Sequence, residues 1–309
     1  MSIENGSWHT LTSLSKARSH SPVLPYKNKL FVFGGGGPEF KSMASVVALN
    51  LETQQWEDCC EMPTKRSGTA GFLIGNKICI VGGGFKKPDG NFQFLPTTEI
   101  YDPDTDSWST GPDMNQPHDY PAAAQMGNTA YILGGHHPDA CLGGPKTDPG
   151  FTFSERWTPG DEKWEQIADM PTPRFAAAAF EHGGKIYTSG GVAFTPEGFN
   201  NFDFFENYDP KSNSWSEDKK IKLPWVAAGH GQCIVGDKIF FFGGYSHDNI
   251  HSRAAVCDIN TGEWTRLPDM PLPRAAMGVA VIDKTIYLVG GWADDGRTPI
   301  ESVVAYSWD

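Results

Sequence analysis

The chain has 309 residues, 39% of them apolar and 20% charged, and its 25 Lys and Arg against 37 Asp and Glu leave a formal charge of −12. An acidic balance without basic tracts argues against a nucleic-acid backbone or an anionic membrane as partner. No apolar run approaches the roughly 18 residues of a membrane span and no secretory leader pattern follows Met1, so a cytoplasmic protein is expected.

Taken in chain order, the first recognisable element is a short strand over residues 6–12 carrying Trp8. After it, one unit recurs. Adjacent glycines stand at Gly34-Gly35, Gly82-Gly83, Gly134-Gly135, Gly190-Gly191, Gly243-Gly244 and Gly290-Gly291, and tryptophans keep step at Trp56, Trp108, Trp164, Trp215 and Trp264. A period of 47 to 56 residues marks a repeat array. Seven and six residues before each first glycine lies a turn dipeptide such as Lys27-Asn28 or Gly75-Asn76 between two apolar runs, the signature of a β-hairpin. Seven residues before each later tryptophan stands Leu49, Tyr101, Trp157, Tyr208 or Cys257, with a polar turn between, which gives a second hairpin. Each unit therefore reads as four antiparallel strands. The six cysteines include no C-x-x-C pair, and several fill strand positions that other repeats give to apolar residues, so they read as small hydrophobes rather than disulfides.

The double glycines, the spaced Tyr and Trp, and the Met-Pro-x-x-Arg linkers (Met62 to Arg66, Met270 to Arg274) resemble kelch repeats over roughly residues 6–307. That resemblance implies an all-β, six-bladed propeller as a single domain over 1–309, with blades at about 18–59, 66–110, 118–167, 174–217, 226–267 and 274–306. The strand over 6–12 is expected to complete the last blade and close the ring.

Length variation is confined to the segment between the second glycine and the third strand, from 13 residues (Gly244 to Cys257) to 22 (Gly135 to Trp157). In a four-stranded blade that loop shares a face with the linker to the next blade, so this face is the expected binding face. Sixteen residues before each glycine pair stand Arg18, Arg66, His118, Arg174, Ala227 and Arg274. In kelch proteins that bind peptides, arginines at this register and the residue after the glycine pair contact the ligand. By resemblance, Arg18, Arg66, Arg174 and Arg274 are candidate ligand groups, joined by His136, Tyr245 and Trp292 after their glycine pairs; two positions beyond the arginine register, His20 and Tyr120 are expected to extend the pocket wall. Four guanidiniums at one mouth imply an acidic peptide or an anionic small molecule as partner. The same arginines also admit a structural role, pairing with loop carboxylates or capping carbonyls. Trp225, outside the repeat register, is open to packing or to exposed contact.

The third unit departs most, with His118-Asp119-Tyr120 where others carry Arg, and His136-His137-Pro138-Asp139-Ala140-Cys141 opening the longest loop. His118, Tyr120 and His136 are the catalytic candidates if the chain is a small-molecule enzyme of isomerase, epimerase or cyclase type, since an imidazole titrates near neutrality. A metal reading of that loop fails on spacing, because adjacent histidines point apart in an extended chain. No nucleotide or metalloprotease motif occurs, and no cofactor is expected. Peptide-binding module and enzyme both stand as readings of the same mouth.

Overall fold

The computed structural model describes residues 3–142, 147–247, 249–293 and 298–308, with backbone alone at 141 and 142. Six four-stranded antiparallel sheets follow one another as blades, and the sixth joins Gly278–Ile282, Thr285–Val289 and Val303–Ser307 to the N-terminal strand Ser7–Thr10. Ser7 faces Ser307 and Thr10 faces Val304, so the first strand completes the last blade as the sequence predicts.

Each innermost hairpin closes on a two-residue turn whose first residue has positive φ: Lys27 (54°), Gly75 (63°), Gly127 (57°), Gly183 (60°), Gly236 (59°) and Asp283 (51°). That geometry matches the strand twist and explains the preference for Gly or a small polar residue there. Second strands such as Lys29–Phe33 and Lys238–Phe242 are buried after their first residue, because neighbouring blades cover both faces. Outer strands such as Gln55–Cys59 are largely exposed, with Trp56 and Cys59 half-buried.

Three rings of hydrogen bonds join the blades. At the hub, the N–H of His20, Gly68, Tyr120, Ala176, Gly229 and Ala276 each donates to the carbonyl of the preceding member, and His20 closes the circle on Ala276, at 2.6 to 3.1 Å. All six residues have φ between 51° and 65°. Ala176 and Ala276 share this strained conformation with His20 and Tyr120, so it belongs to the hub and not to a particular site. Outside that circle, the second glycine of each pair donates to the carbonyl at the arginine register of the next blade, from Gly35 to Arg66 (2.9 Å) round to Gly291 and Arg18 (2.9 Å). At the rim, each repeat tryptophan donates its indole N–H to the previous blade, ending with Trp8 to the Pro268 carbonyl at 2.9 Å.

The double glycine thus has a steric cause. Both members take positive φ in all six blades, and a Cβ on the first would strike the neighbouring backbone; at Gly82 it would lie 2.5 Å from the His118 carbonyl. Gly127 has a similar φ of 57° but nothing within 4 Å of its Cβ position. Gly127→Ala should therefore cost about 1 to 2 kcal/mol, the conformational penalty alone. Gly82→Ala should cost more than about 4 kcal/mol, since it also separates two blades. Urea unfolding of the two variants checks this, and equal losses would contradict it.

Candidate functional site

The arginine register lies inside the blades. Arg18, Arg66, Arg174 and Arg274 are at most 1% exposed, so the expectation that they rim the mouth and contact ligand fails. Each donates from Nη1 to the carbonyl of the first glycine sixteen residues on: Gly34 at 3.1 Å, Gly82 at 2.9 Å, Gly190 at 3.0 Å and Gly290 at 3.3 Å. A buried carbonyl needs a donor, and a guanidinium reaches it while holding a second strand. Arg66 pairs with Glu99 at 2.6 Å and Arg174 with Glu206 at 2.5 Å, while Arg18 and Arg274 bond Ser45 and Ser302.

His118 does the same work. It is fully buried, with Nδ1 2.7 Å from the Gly134 carbonyl and Nε2 3.2 Å from Glu155 Oε1, so it is no catalytic group of an open site. In the fifth blade, where Ala227 offers no donor, Trp225 supplies the indole N–H to the Gly243 carbonyl at 3.1 Å and packs edge-on against Phe241. The two extra residues in that linker let the larger side chain reach in, which settles Trp225 as packing.

One residue beyond this register, side chains turn toward the mouth. A cavity of about 520 Å³ lies there, lined by hub residues of the first three blades and by loops of the first, second, third, fourth and sixth. It forms on this side because Gly36 and Gly68 line it without side chains, whereas Phe175, Val192 and Tyr245 fill the other side around Tyr120. The loop after the second glycine pair folds into a hairpin, Gly84–Lys86 with Phe92–Phe94, and that of the fourth into Val192–Thr195 with Gly198–Asn201. These bring Phe92, Phe94 and Phe194 to the wall, and Phe40, Trp292 and His20 complete it. Trp292 meets His20 edge-on at 4.4 Å and Phe40 at 6.0 Å, and His20 meets Tyr120 at 4.6 Å.

The polar groups converge at one end. His136 Nδ1 is 2.5 Å from Asp148 Oδ2, its Nε2 is 3.8 Å from Asp119 Oδ2, and its ring stacks on Phe175 at 4.0 Å. The other Asp148 oxygen accepts from the N–H of His137 and of Gly150, both at 3.0 Å, which fixes the carboxylate. Burial opposes the imidazolium form of His136, but the Asp148 hydrogen bond and the charges of Asp119 and Asp148 outweigh it and raise its pKa. Asp119 is pushed up to about 7, chiefly by burial, with Asp148 adding to the effect against the opposing pull of His136. His20 is pushed down to about 3 by burial and the nearby His136, and is neutral at pH 7. The Tyr120 hydroxyl, buried beside Gly229 without a hydrogen-bond partner among the described residues, is held well above its ordinary pKa by burial.

Of the expected site residues, the structure brings His20, Tyr120, His136 and Trp292 together, sets Tyr245 behind Tyr120, and withdraws His118 and the arginines. The expectation missed Asp119 and Asp148. Asp119 was within reach, because the position after each arginine carries Ser19, Ser67, Asp119, Phe175, Ala228 and Ala275, and only the third is ionisable. Asp148 sits in a long loop with no counterpart in other repeats. The side chain of Cys141, named in the metal reading, lies outside the described residues.

Six four-stranded blades round a closed hub define a six-bladed β-propeller. A family model described as the KLHDC2/KLHL20/DRC7 Kelch-repeats domain matches residues 151–291 and one described as the Kelch motif matches 65–115. The chain belongs to the kelch-repeat family of β-propellers. It is 27% identical to Kelch-like protein 15 of Danio rerio over 243 residues, 73% of this chain and 38% of that protein. It is 24% identical to Alpha-scruin of Limulus polyphemus over 79% of this chain and 26% of that one, and 25% identical to human Kelch-like protein 34 over 86% and 41%. The chain thus spans well under half the length of these relatives. The solved structure of YjhT matches with a TM-score of 0.78 over 95% of each chain at 16% identity, a likeness of fold. No helix among the described residues is long and apolar enough to cross a membrane.

Two substitutions separate scaffold from site. Arg66→Ala leaves Glu99 buried without its cation and should cost about 3 to 5 kcal/mol. Asp119 keeps its proton in the folded chain up to about pH 7, well above the ordinary carboxylate value, so its contribution favours folding in acid and is lost as pH rises through 7. Asp119→Asn removes that cost. The variant should melt above the parent at pH 8, by about 1 to 3 kcal/mol, and by less at pH 5. Thermal unfolding at the two pH values checks both, and a destabilised Asp119→Asn at pH 8 would contradict the assignment.

Proposed function

We propose that the protein takes a small molecule into this cavity and transfers a proton on it, an isomerase- or epimerase-type activity with Asp119 and His136 as the acid–base pair and Asp148 holding the imidazole. The observation that carries this reading is the pairing of two differently tuned groups within 3.8 Å of each other in a mostly apolar pocket of small-molecule size. Near neutrality Asp119 is partly ionised and accepts a proton, while His136, charged and oriented by Asp148, donates one. Tyr120 and His20 act as neutral walls.

Kelch propellers commonly bind partner proteins, and an acidic peptide at the mouth is the competing reading. It loses its main support with the withdrawal of the four arginines, and no lysine or arginine among the described residues lines the cavity. A cytoplasmic setting is part of the proposal; the buried free thiols of Cys79 and Cys257 suit a reducing compartment.

The test begins with a thermal-shift screen of small neutral and charged carbonyl compounds and sugars beside a set of acidic peptides, followed by solvent-deuterium incorporation into each hit. A small-molecule hit should exchange a carbon-bound proton, and His136→Gln should slow that exchange by about 100-fold or more without lowering the melting temperature in proportion. Tight binding of acidic peptides that is unchanged in His136→Gln and Asp119→Asn would point back to the binding-module reading.

A further inference from the structure

Resting on that small-molecule reading, the geometry points to the charge of the ligand: we infer that the pocket takes an organic ammonium ion, a protonated amine on a flat apolar body, with the cation at Asp119 and the body between the aromatic walls. The two carboxylates are not equivalent. Asp148 is committed, one oxygen to His136 and the other to two backbone N–H groups. Asp119 accepts no hydrogen bond among the described residues; its nearest cation, His136 Nε2 at 3.8 Å, is beyond hydrogen-bonding distance, and its side chain is 15% exposed to the cavity. A largely enclosed carboxylate with open acceptor positions calls for a charged donor.

The floor beneath it is cut to fit. Asp119 Oδ1 lies where a Cβ on Gly68 would come within 2.6 Å and one on Gly84 within 3.3 Å, so two glycines of the second blade admit the carboxylate to the cavity. The walls favour a cation over an anion, since Phe40, Phe92, Phe94, Phe194 and Trp292 present π systems. Phe40 at 45% and Phe92 at 36% exposure are among the few large apolar side chains left open to solvent, which suits a rim that closes on a flat ligand. Among the described residues nothing positive offsets this beyond His136, which Asp148 neutralises: His20 is uncharged and the described lining holds no Lys or Arg.

Among the described residues, the charged groups acting on Asp119 are His136 and Asp148 from the third-blade loop, and the uncharged Tyr120 and His20 line the same cavity. With Asp119 at about 7, ammonium binding draws on its ionised form and should strengthen as pH rises through neutrality while the amine stays charged.

Isothermal titration with 2-phenylethylamine, 2-phenylethanol and 3-phenylpropanoate at pH 6 and pH 8 tests this. The amine should bind at least about 10-fold tighter than the alcohol at pH 8, with the acid weakest, and should weaken about 10-fold at pH 6 as Asp119 takes up its proton. Asp119→Asn, isosteric with the native side chain, should bring amine and alcohol within about threefold of each other and erase the pH dependence. Equal or tighter binding of the alcohol or the acid, or an amine affinity unmoved by both pH and Asp119→Asn, overturns the ammonium inference and leaves the small-molecule pocket standing. If none of the three binds at either pH, the inferred ammonium ligand is overturned, and the small-molecule reading is decided by its own screen.

Discussion

The structure depends on hydrogen bonds that run in circles. Each hub residue gives its N–H to one neighbouring blade and its carbonyl to the other, and the sixth bond, from His20 to Ala276, joins the first blade to the last. The ring through the second glycines and the ring of indoles repeat the arrangement at larger radius. A blade cannot leave without breaking bonds on both sides at all three radii, and a single blade buries too little apolar surface to stand alone. Glycine pairs follow from this, because only a residue without Cβ lets one blade's backbone approach the next so closely.

The same constraint explains the buried cations. Bringing the first glycine into left-handed conformation points its carbonyl into the blade, away from strand partners, and a donor must come from a side chain. Arginine does this in four blades, histidine with Glu155 in the third, and the Trp225 indole in the fifth. Three unlike side chains meet one carbonyl in six places, which identifies the requirement as the scaffold's. Function is left to positions the scaffold does not tax: the residue after this register, the residue after the glycine pair, and the loops. There the six repeats differ, and the cavity opens where Gly36 and Gly68 leave space beside Asp119 and His136.

This division governs what the sequence discloses. Register carries the fold, since the spacing of glycine pair, turn and tryptophan places every blade, and the match of Trp8 to that series anticipates its pairing with the final strand. Register also misleads about the site. A charged residue recurring at one spacing reads as a ring of ligands, but recurrence in a repeat protein more often records what every repeat needs, and the four arginines are buried for that reason. His118 looked like a catalytic substitution and is a replacement part. Asp119, unlike its counterparts Ser19, Ser67, Phe175, Ala228 and Ala275, was the informative departure. Asp148 and Phe194 reach the pocket only through loop conformations: their backbones pair with each other, bridging two blades, a contact no spacing rule anticipates.

The central claim is that closed rings make six blades one rigid unit on which an asymmetric pocket is set. Native-state hydrogen exchange, read residue by residue, tests it most directly. The hub amides of His20, Gly68, Tyr120, Ala176, Gly229 and Ala276 should exchange together, through global unfolding alone, with one free energy and one denaturant slope. Exchange of these amides blade by blade, with a range of free energies well below that of global unfolding, would contradict the account.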